Sequence, residues 1–203
     1  MSPASSMLMA IGARGRAAQR AMFTSTSRSS MVRRSMGTQS TDEDLAPTAT
    51  ATLHLEDGSK LVGTSFGSHE AAVDGEVVFT TGMVGYTESL TDPSYKGQIL
   101  SFTQPMLGNY GVPPRDVMDE HGLPAFLESN KIHAAGMICQ DYSHHWSHWN
   151  AGSSLGSWLK EEGVPGISGI DTRALTKKIR ESGAMLGRIE IDESAPAPDF
   201  GQV

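Results

Sequence analysis

Residues 75–100 have the sequence GEVVFTTGMVGYTESLTDPSYKGQIL, in which a loop rich in glycine and threonine separates two strand-like runs. Val77-Val78-Phe79 ends the first run and Gln98 begins the second, because β-branched and aromatic residues bounded by turn formers favour strands. Within the loop, Asp92-Pro93-Ser94-Tyr95 suits a type I turn, since proline presets φ at the second position. The aspartate is expected to accept a hydrogen bond from the backbone N–H two residues on, which places the serine at a rigid corner.

The surrounding sequence predicts further strands. Thr52–Leu55 and Lys60–Phe66 flank Asp57-Gly58, a dipeptide that accepts positive φ, so a β-hairpin is predicted there. Additional short strands are predicted at Ile99–Thr103, Ala134–Gln140, Gly166–Ile170 and Met185–Ile189. The 22 glycines of the chain fit tight turns and bulges better than a helical bundle.

Two helices are predicted toward the end of the chain. In Ser154–Glu162, apolar residues recur at the i, i+3, i+4 spacing of a buried stripe, and Gly163 ends the segment. The second helix has Asp171 as its N-cap and Gly183 beyond its end. Together with the strands, these helices indicate an α+β domain with a mixed sheet.

Charge divides the chain into a basic tail and an acidic body. Residues 1–41 contain six arginines, nine serines and no acidic residue and carry a charge of +6, whereas the remainder carries −13. An arginine- and serine-rich, acid-free N-terminus is typical of an organelle transit peptide, which predicts the mitochondrial matrix as the location. A disordered tail or a nucleic-acid-binding arm is the alternative. Residues 42–51 lack periodicity and are interpreted as a linker.

Several classes of protein fit this composition poorly. No apolar run approaches the ~18 residues needed to span a bilayer, so no membrane partner is expected. The acidic body argues against a nucleic-acid surface, because phosphate contacts require clustered Lys and Arg. The single cysteine, Cys139, cannot form an internal disulfide, in agreement with a reducing compartment. No phosphate-binding loop or dinucleotide fingerprint is present, so no cofactor is expected in this chain.

The 75–100 segment and the motifs around it resemble the small, glutamine-handling chain of carbamoyl-phosphate synthase. The further matching motifs are Leu55-Glu56-Asp57-Gly58-Ser59, Thr103-Gln104-Pro105, Leu107–Pro113, Ser147-His148-Trp149, Gly169–Arg173 and Leu175-Thr176-Lys177. They define residues 52–192 as the domain and 193–203 as a linker toward a missing amidotransferase domain. Thr87 departs from the pattern, because many relatives carry proline there. The resemblance implies a three-layer β/β/α swivelling-type domain.

The same resemblance implies a site. In this family the serine of the Asp-Pro-Ser-Tyr motif contributes to glutamine binding across the junction with the amidotransferase domain, which makes Ser94 the expected glutamine contact. A hydroxyl can hydrogen-bond an amino acid without acting as a nucleophile, and a purely structural turn is the alternative. The family's catalytic Cys, His and Glu belong to a C-terminal domain. No catalytic residue is therefore expected here, and the 203-residue chain alone is expected not to hydrolyse glutamine.

Two other groups of residues are candidates for chemistry. Cys139 is either a thiol nucleophile or, as its apolar neighbours favour, a small buried strand residue. Three histidines lie close together in the sequence, at His144, His145 and His148. They are either metal ligands or part of a surface loop anchored by Trp146 and Trp149. We favour the loop, so no metal site is predicted.

Two further groups are candidates for contacts with a partner. Tyr110 lies in Asn109–Pro114, where asparagine, glycine and proline indicate a stiff turn, and it is either a structural residue or a partner contact. Three basic residues lie toward the C-terminal part of the second helix, namely Lys177, Lys178 and Arg180. They are most simply interpreted as a solvated helix face.

The sequence thus predicts the N-terminal part of a small subunit of glutamine-dependent carbamoyl-phosphate synthase. By resemblance, it would dock a large subunit that binds ATP and Mg, and would help to form the glutamine site and the ammonia route. An imported, separate small chain indicates the arginine branch. The alternatives are a truncated assembly module that occupies the large subunit without donating ammonia, and a piece of a multifunctional polypeptide of the pyrimidine pathway.

Overall fold

Nine strands and three α-helices make up the part of the chain that the structure describes, residues 49–69 and 72–196 of a computed structural model. In chain order the strands are β1 (Ala49–Leu55), β2 (Lys60–Gly67), β3 (Val73–Thr80), β4 (Gln98–Phe102), β5 (Met106–Leu107), β6 (Gly136–Ile138), β7 (Asp141–Tyr142), β8 (Pro165–Ser168) and β9 (Leu186–Pro196). The helices are α1 (Tyr86–Thr91), α2 (Leu155–Glu161) and α3 (Thr172–Ser182), and a 3-10 turn covers Pro93–Tyr95. The predicted transit tail lies outside the described residues.

Seven of these strands form a closed barrel. Their order around it is β1-β2-β8-β6-β4-β3-β9, and β9 pairs back onto β1. The pairs β3 with β4, β4 with β6 and β6 with β8 are parallel, and the other four are antiparallel. β5 and β7 form a separate two-stranded sheet. The barrel sheet is therefore mixed, and its description as a three-layer β/β/α swivelling-type domain stays a prediction.

The predicted β-hairpin is present and longer than expected. Gly58 in its turn has a φ of 84°, and Asp57 accepts a hydrogen bond from the Ser59 N–H at 2.9 Å. β1 begins at Ala49, inside the segment interpreted as a linker, because it alternates buried and half-buried side chains and pairs with both β2 and β9. β9 likewise continues to Pro196, beyond the strand end that the sequence predicted.

The barrel sheet separates two clusters of buried apolar side chains. Ile99 and Leu100 are neighbours on β4 but belong to different clusters, because successive side chains of a strand point to opposite faces. Leu175 and Ile179 of α3 pack into the cluster that contains Ile99, and Trp158 of α2 packs into the other. Each face of the sheet is thus covered by one of the two predicted helices.

Both predicted helices are present, and the second begins at its predicted cap, Asp171. The Ser154 side chain accepts a hydrogen bond from the Ser157 N–H at 3.0 Å, and Asp171 accepts one from the Ala174 N–H at 2.8 Å. Gly183 follows α3 with a φ of 84°. These caps confirm the two helices, since each side chain satisfies an N–H that has no partner within its own helix. No helix in the described ranges is long and apolar enough to cross a membrane.

The connection between β3 and β4 contains a helix where the sequence analysis expected only a loop. α1 places Tyr86 and Leu90, four residues apart, in the cluster that also contains Trp158. That prediction was wrong because one i, i+4 pair in a segment of six residues gives too little periodicity to indicate a helix.

A polar contact fastens α3 to the hairpin. Lys178 is half-buried, and its ammonium group donates to the Asp57 carboxylate and to the Ser59 hydroxyl. Lys177 and Arg180 are exposed. The prediction of a solvated basic face is therefore wrong for Lys178, because the packing of α3 against the barrel brings the hairpin turn within its reach.

Replacement of Gly63 by alanine is expected to destabilise the barrel. A Cβ at this position of β2 would lie 2.2 Å from the Ser168 backbone oxygen of β8 and 2.8 Å from Ile167 Cγ1. Such overpacking costs about 1–3 kcal/mol, which denaturant unfolding of the Gly63→Ala chain would measure. Gly82→Ala is the matched control, because the nearest atom to a Cβ there is 3.3 Å away on an exposed segment. Equal midpoints for the two variants would contradict this account of the β2–β8 contact.

The Asp57–Lys178 contact predicts a pH dependence at the acid end. Hydrogen bonds from Lys178 and Ser59 lower the pKa of Asp57 from 3.8 to about 2. A carboxyl group with a depressed pKa stabilises the fold above its ordinary pKa and loses that contribution as the pH falls through the folded value. Stability should therefore fall between pH 3.8 and about 2, by a small amount because the pair is exposed. Urea unfolding measured at a series of pH values would test this. Asp57→Asn should remove this part of the pH dependence of the free energy of unfolding, whereas Asp116→Asn, an exposed control, should keep it.

Candidate functional site

Ser94 lies exposed at the corner between α1 and β4. Its backbone N–H donates to Asp92 Oδ1 at 2.8 Å, as the sequence predicted. Hydrogen bonds from the N–H and the hydroxyl of Ser94 lower the pKa of Asp92, because they stabilise the ionised carboxylate. The corner is a 3-10 turn, in which the Tyr95 N–H also donates to the Asp92 carbonyl oxygen at 3.1 Å. The turn is confirmed, and the role of Ser94 in glutamine binding stays a prediction.

The residue before this corner, Thr91, fixes the C-terminal end of α1. Its buried hydroxyl donates to the Thr87 carbonyl oxygen at 2.9 Å and accepts the Glu128 N–H at 3.0 Å. The Ser129 hydroxyl donates to the Thr91 carbonyl oxygen at 2.7 Å. Ser94 therefore follows a helix end that is bonded to a distant segment of the chain.

Tyr110 fixes the other end of α1. Its phenolic oxygen accepts the N–H groups of Gly85 at 2.9 Å and of Tyr86 at 3.0 Å. The rings of Tyr86 and Tyr110 stack with their centroids 4.1 Å apart, and the Tyr86 hydroxyl donates to the Gly111 carbonyl oxygen at 2.6 Å. Burial raises the pKa of both phenols, which keeps both hydroxyl groups protonated. The structure thus gives Tyr110 the structural role, one of the two that the sequence left open.

The Tyr110 cap has no counterpart in the sequence analysis. Gly85 is the N-cap of α1 and has no side chain that could accept a hydrogen bond. The cap instead comes from a residue 25 positions later in the chain. Local patterns of residues cannot reveal a contact of this separation, so no signal in a single sequence could have found it.

Cys139 follows β6 directly and is fully buried. Burial raises the pKa of its thiol, which is the opposite of what a thiolate nucleophile requires. Its backbone N–H donates to the Ile167 carbonyl oxygen at 2.9 Å. These observations confirm the interpretation of Cys139 as a small core residue.

The three histidines make separate contacts. The His144 ring meets the Tyr142 ring edge-on with centroids 4.8 Å apart, whereas the His148 ring lies 6.0 Å from that of Tyr110. His145 is exposed. Within residues 49–69 and 72–196, no three His, Cys, Asp or Glu side chains lie close enough together to hold a metal ion.

The loop that carries these histidines has one anchor. Trp146 is buried, as predicted, whereas Trp149 is 68% exposed, so the prediction that both tryptophans anchor the loop was wrong for Trp149. Backbone hydrogen bonds hold the loop on both sides of Trp149, because the Ser147 N–H donates to the Asn109 carbonyl oxygen at 3.0 Å and the Gly152 N–H donates to the Val112 carbonyl oxygen at 2.7 Å.

Removal of the Tyr110 hydroxyl is expected to loosen α1. In Tyr110→Phe the ring stack can persist, but the Gly85 and Tyr86 N–H groups lose their shared acceptor, at a cost of about 1–3 kcal/mol. Amide hydrogen exchange across residues 85–91 should accelerate by a corresponding factor. Tyr95→Phe is the control, because no hydrogen bond of its hydroxyl is among those described. Similar exchange rates in both variants would contradict the capping role.

Comparison with known proteins shows which family the domain matches. The family model described as "Carbamoyl-phosphate synthase small chain, CPSase domain" matches residues 53–189. The multifunctional protein ura1 of Schizosaccharomyces pombe is 63% identical over 149 residues, which are 72% of this chain and 7% of that protein. The mitochondrial carbamoyl-phosphate synthase [ammonia] of Homo sapiens is 54% identical over 70% of this chain and 10% of that protein.

A separate small chain is among the relatives. The carbamoyl phosphate synthase arginine-specific small chain of Eremothecium gossypii is 51% identical over 70% of this chain and 35% of its own length. This chain therefore spans only a minor part of each of these relatives. An aminopeptidase from Aneurinibacillus aligns with a TM-score of 0.41 and 18% identity over 77% of this chain and 32% of its own, too weakly to support any argument. With the family match over residues 53–189, the chain belongs to the carbamoyl-phosphate synthase small-chain family.

Proposed function

We propose that this chain forms the N-terminal part of the small, glutamine amidotransferase subunit of carbamoyl-phosphate synthase. The family match over residues 53–189 carries the proposal. In the proposed assembly, glutamine hydrolysis supplies ammonia to a large subunit, which binds ATP and Mg and makes carbamoyl phosphate. This domain docks the large subunit, helps to enclose the ammonia route and completes the glutamine site through Ser94.

The described side chains support a binding role for the domain. The only cysteine of the sequence is Cys139, which is buried and has a raised pKa, so the thiolate that attacks glutamine would come from another domain. Ser94 is exposed and its described hydrogen bonds are to Asp92, an arrangement that leaves its hydroxyl oxygen accessible to a ligand. Such a hydroxyl can position an amide or carboxylate group of glutamine.

The connection between β3 and α1 supports the docking role. Met83 and Val84 are 62% and 78% exposed. They precede α1, whose two ends are held by hydrogen bonds to Tyr110 and from Glu128 to Thr91. These apolar side chains are therefore next to an ordered helix. Methionine and other apolar residues in such exposed positions are common in protein interfaces.

The relatives support a second candidate for the pathway. The chain is 63% identical to the multifunctional protein ura1 but 51% identical to the arginine-specific small chain. This difference favours a piece of a multifunctional polypeptide of the pyrimidine branch, whereas the basic composition of residues 1–41 favours an imported small chain of the arginine branch.

Subcellular location distinguishes the two candidates. If the tail is a transit peptide, the protein should be recovered in the mitochondrial matrix. Its first residue should then lie downstream of Met1, because the tail is cleaved on import. Fractionation of the source cells followed by mass spectrometry of the purified protein's N-terminus would test this. A cytosolic protein that retains the tail within a much larger polypeptide would instead support the multifunctional candidate.

Substitution of Ser94 tests the proposed site. In the assembled enzyme, Ser94→Ala should raise the KM for glutamine about 2- to 10-fold, the equivalent of one lost hydrogen bond. Carbamoyl phosphate synthesis from added ammonia should be unchanged, because it bypasses the glutamine site. Ser182→Ala, at an exposed position near the end of α3, is the control. An unchanged KM for glutamine, or an equal loss with ammonia, would count against a glutamine contact at Ser94.

A further inference from the structure

A small pocket lies beside α1 and apart from Ser94. Its volume is about 310 Å³, and its walls come from α1, the loop that carries Tyr110, residues 125–128 and the loop that carries His148. This volume is at the lower limit of typical small-molecule sites, ~300–1,000 Å³. The pocket therefore has room for one small ligand or one long side chain.

One wall of the pocket is the aromatic ring of Tyr110. Tyr110 stacks on the buried Tyr86 with the two ring planes only 19° apart, so one face of Tyr110 is occupied. Tyr110 itself is half-buried and lines the pocket, and the centroid of the His148 ring lies 6.0 Å from its own. Phe126 and His148 add two further rings to the lining. The faces of such rings attract cations through their quadrupole.

The polar lining is acidic. Glu88 of α1 and Glu128 of the opposite segment both line the pocket, and no lysine or arginine is among the lining residues. Arg115, on the same loop as Tyr110, points to Glu161 and Glu162 of α2 and is paired with them. The pocket therefore has two carboxylates without a lining cation, which favours a positively charged ligand over a phosphate or a carboxylate.

Hydrogen bonds hold the Tyr110 ring, the Glu88 carboxylate and the backbone of Glu128. Tyr110 is held by the two N–H groups that it caps, and the Glu128 backbone N–H is bonded to Thr91 at the other end of α1. The Glu88 carboxylate accepts a hydrogen bond from the Thr87 hydroxyl at 2.6 Å. Less entropy is lost on binding when the receiving groups are already in place.

We propose that this pocket binds a guanidinium group. A planar cation can stack against the ring of Tyr110, on the side away from Tyr86, while its N–H groups donate to the carboxylates of Glu88 and Glu128. An ammonium group satisfies the charge but cannot stack, and it lacks the fork of donors that matches a carboxylate. The guanidinium group belongs either to an arginine side chain of a partner protein or to free arginine. Recognition of this group does not depend on the proposed function.

Titration of the full-length chain followed by NMR tests the proposal. The probes are N-acetyl-L-arginine amide, which presents the side chain without charged termini, free L-arginine, and N-acetyl-L-citrulline amide, an uncharged analogue of similar shape. Saturable shifts are expected for the Tyr110, Phe126 and His148 signals with an arginine probe, at least ten times weaker binding with citrulline, and smaller shifts as salt is added.

Variants assign the binding to the pocket. Glu88→Gln and Glu128→Gln keep the side-chain volume and should each weaken arginine binding about tenfold, the effect of one lost charge-assisted hydrogen bond. Glu120→Gln is the control for net charge, because Glu120 is exposed and lies outside the pocket. Circular dichroism of each variant would show that the fold is retained.

Each result has one meaning. Binding of the blocked arginine supports the proposal and identifies a protein side chain as the source, whereas binding of free arginine alone supports it with the amino acid as the source. Equal binding of citrulline overturns the proposal, as does an equal loss of affinity in Glu120→Gln. An absence of saturable shifts at the pocket with both arginine probes overturns it as well.

Discussion

Closure of the barrel by β9 is the constraint on which the other features depend. β9 pairs with β1 along one edge and with β3 along the other, so the strands on either side of the gap are joined through backbone hydrogen bonds. Gly187 permits this approach, because a Cβ there would lie 2.5 Å from Val77 Cγ2. With the sheet closed, β3 and β4 are fixed as parallel neighbours. Their connection must then cross over and return to the same end of the sheet, and this crossover carries α1 and Ser94.

The crossover owes its order to contacts from elsewhere in the chain. Ordering a backbone residue costs about 1–2 kcal/mol, and α1 is too short to be stable by its own hydrogen bonds. Hydrogen bonds to Tyr110 at one end of α1, and between Thr91 and residues 128–129 at the other, offset this entropy cost. Tyr86 and Leu90 add buried apolar surface between them. The corner at Ser94 is rigid because the helix before it and the strand after it are both held.

The sequence predicted the features that depend on neighbouring residues. The hairpin turn at Asp57-Gly58, the cap at Asp171 and the Asp92–Ser94 turn are each set by side chains within a few positions, so their patterns were visible. Barrel closure, the Tyr110 cap and the Lys178–Asp57 contact join residues 24 or more positions apart, and nothing in a single sequence marks such pairs. α1 was not predicted for a different reason, because Tyr86 and Leu90 are its only pair of apolar residues at helical spacing. The family resemblance supplied Ser94 but not the pocket beside α1.

Tyr110 connects the pocket beside α1 to the corner at Ser94. One face of its ring lines the pocket, and its hydroxyl holds the start of the helix that leads to Ser94. A ligand that favours the capped position of this ring therefore also favours the ordered corner, and thermodynamic linkage requires that a ligand at the corner strengthens binding in the pocket by the same factor. Two binding events at separate places in one domain can in this way set each other's affinity.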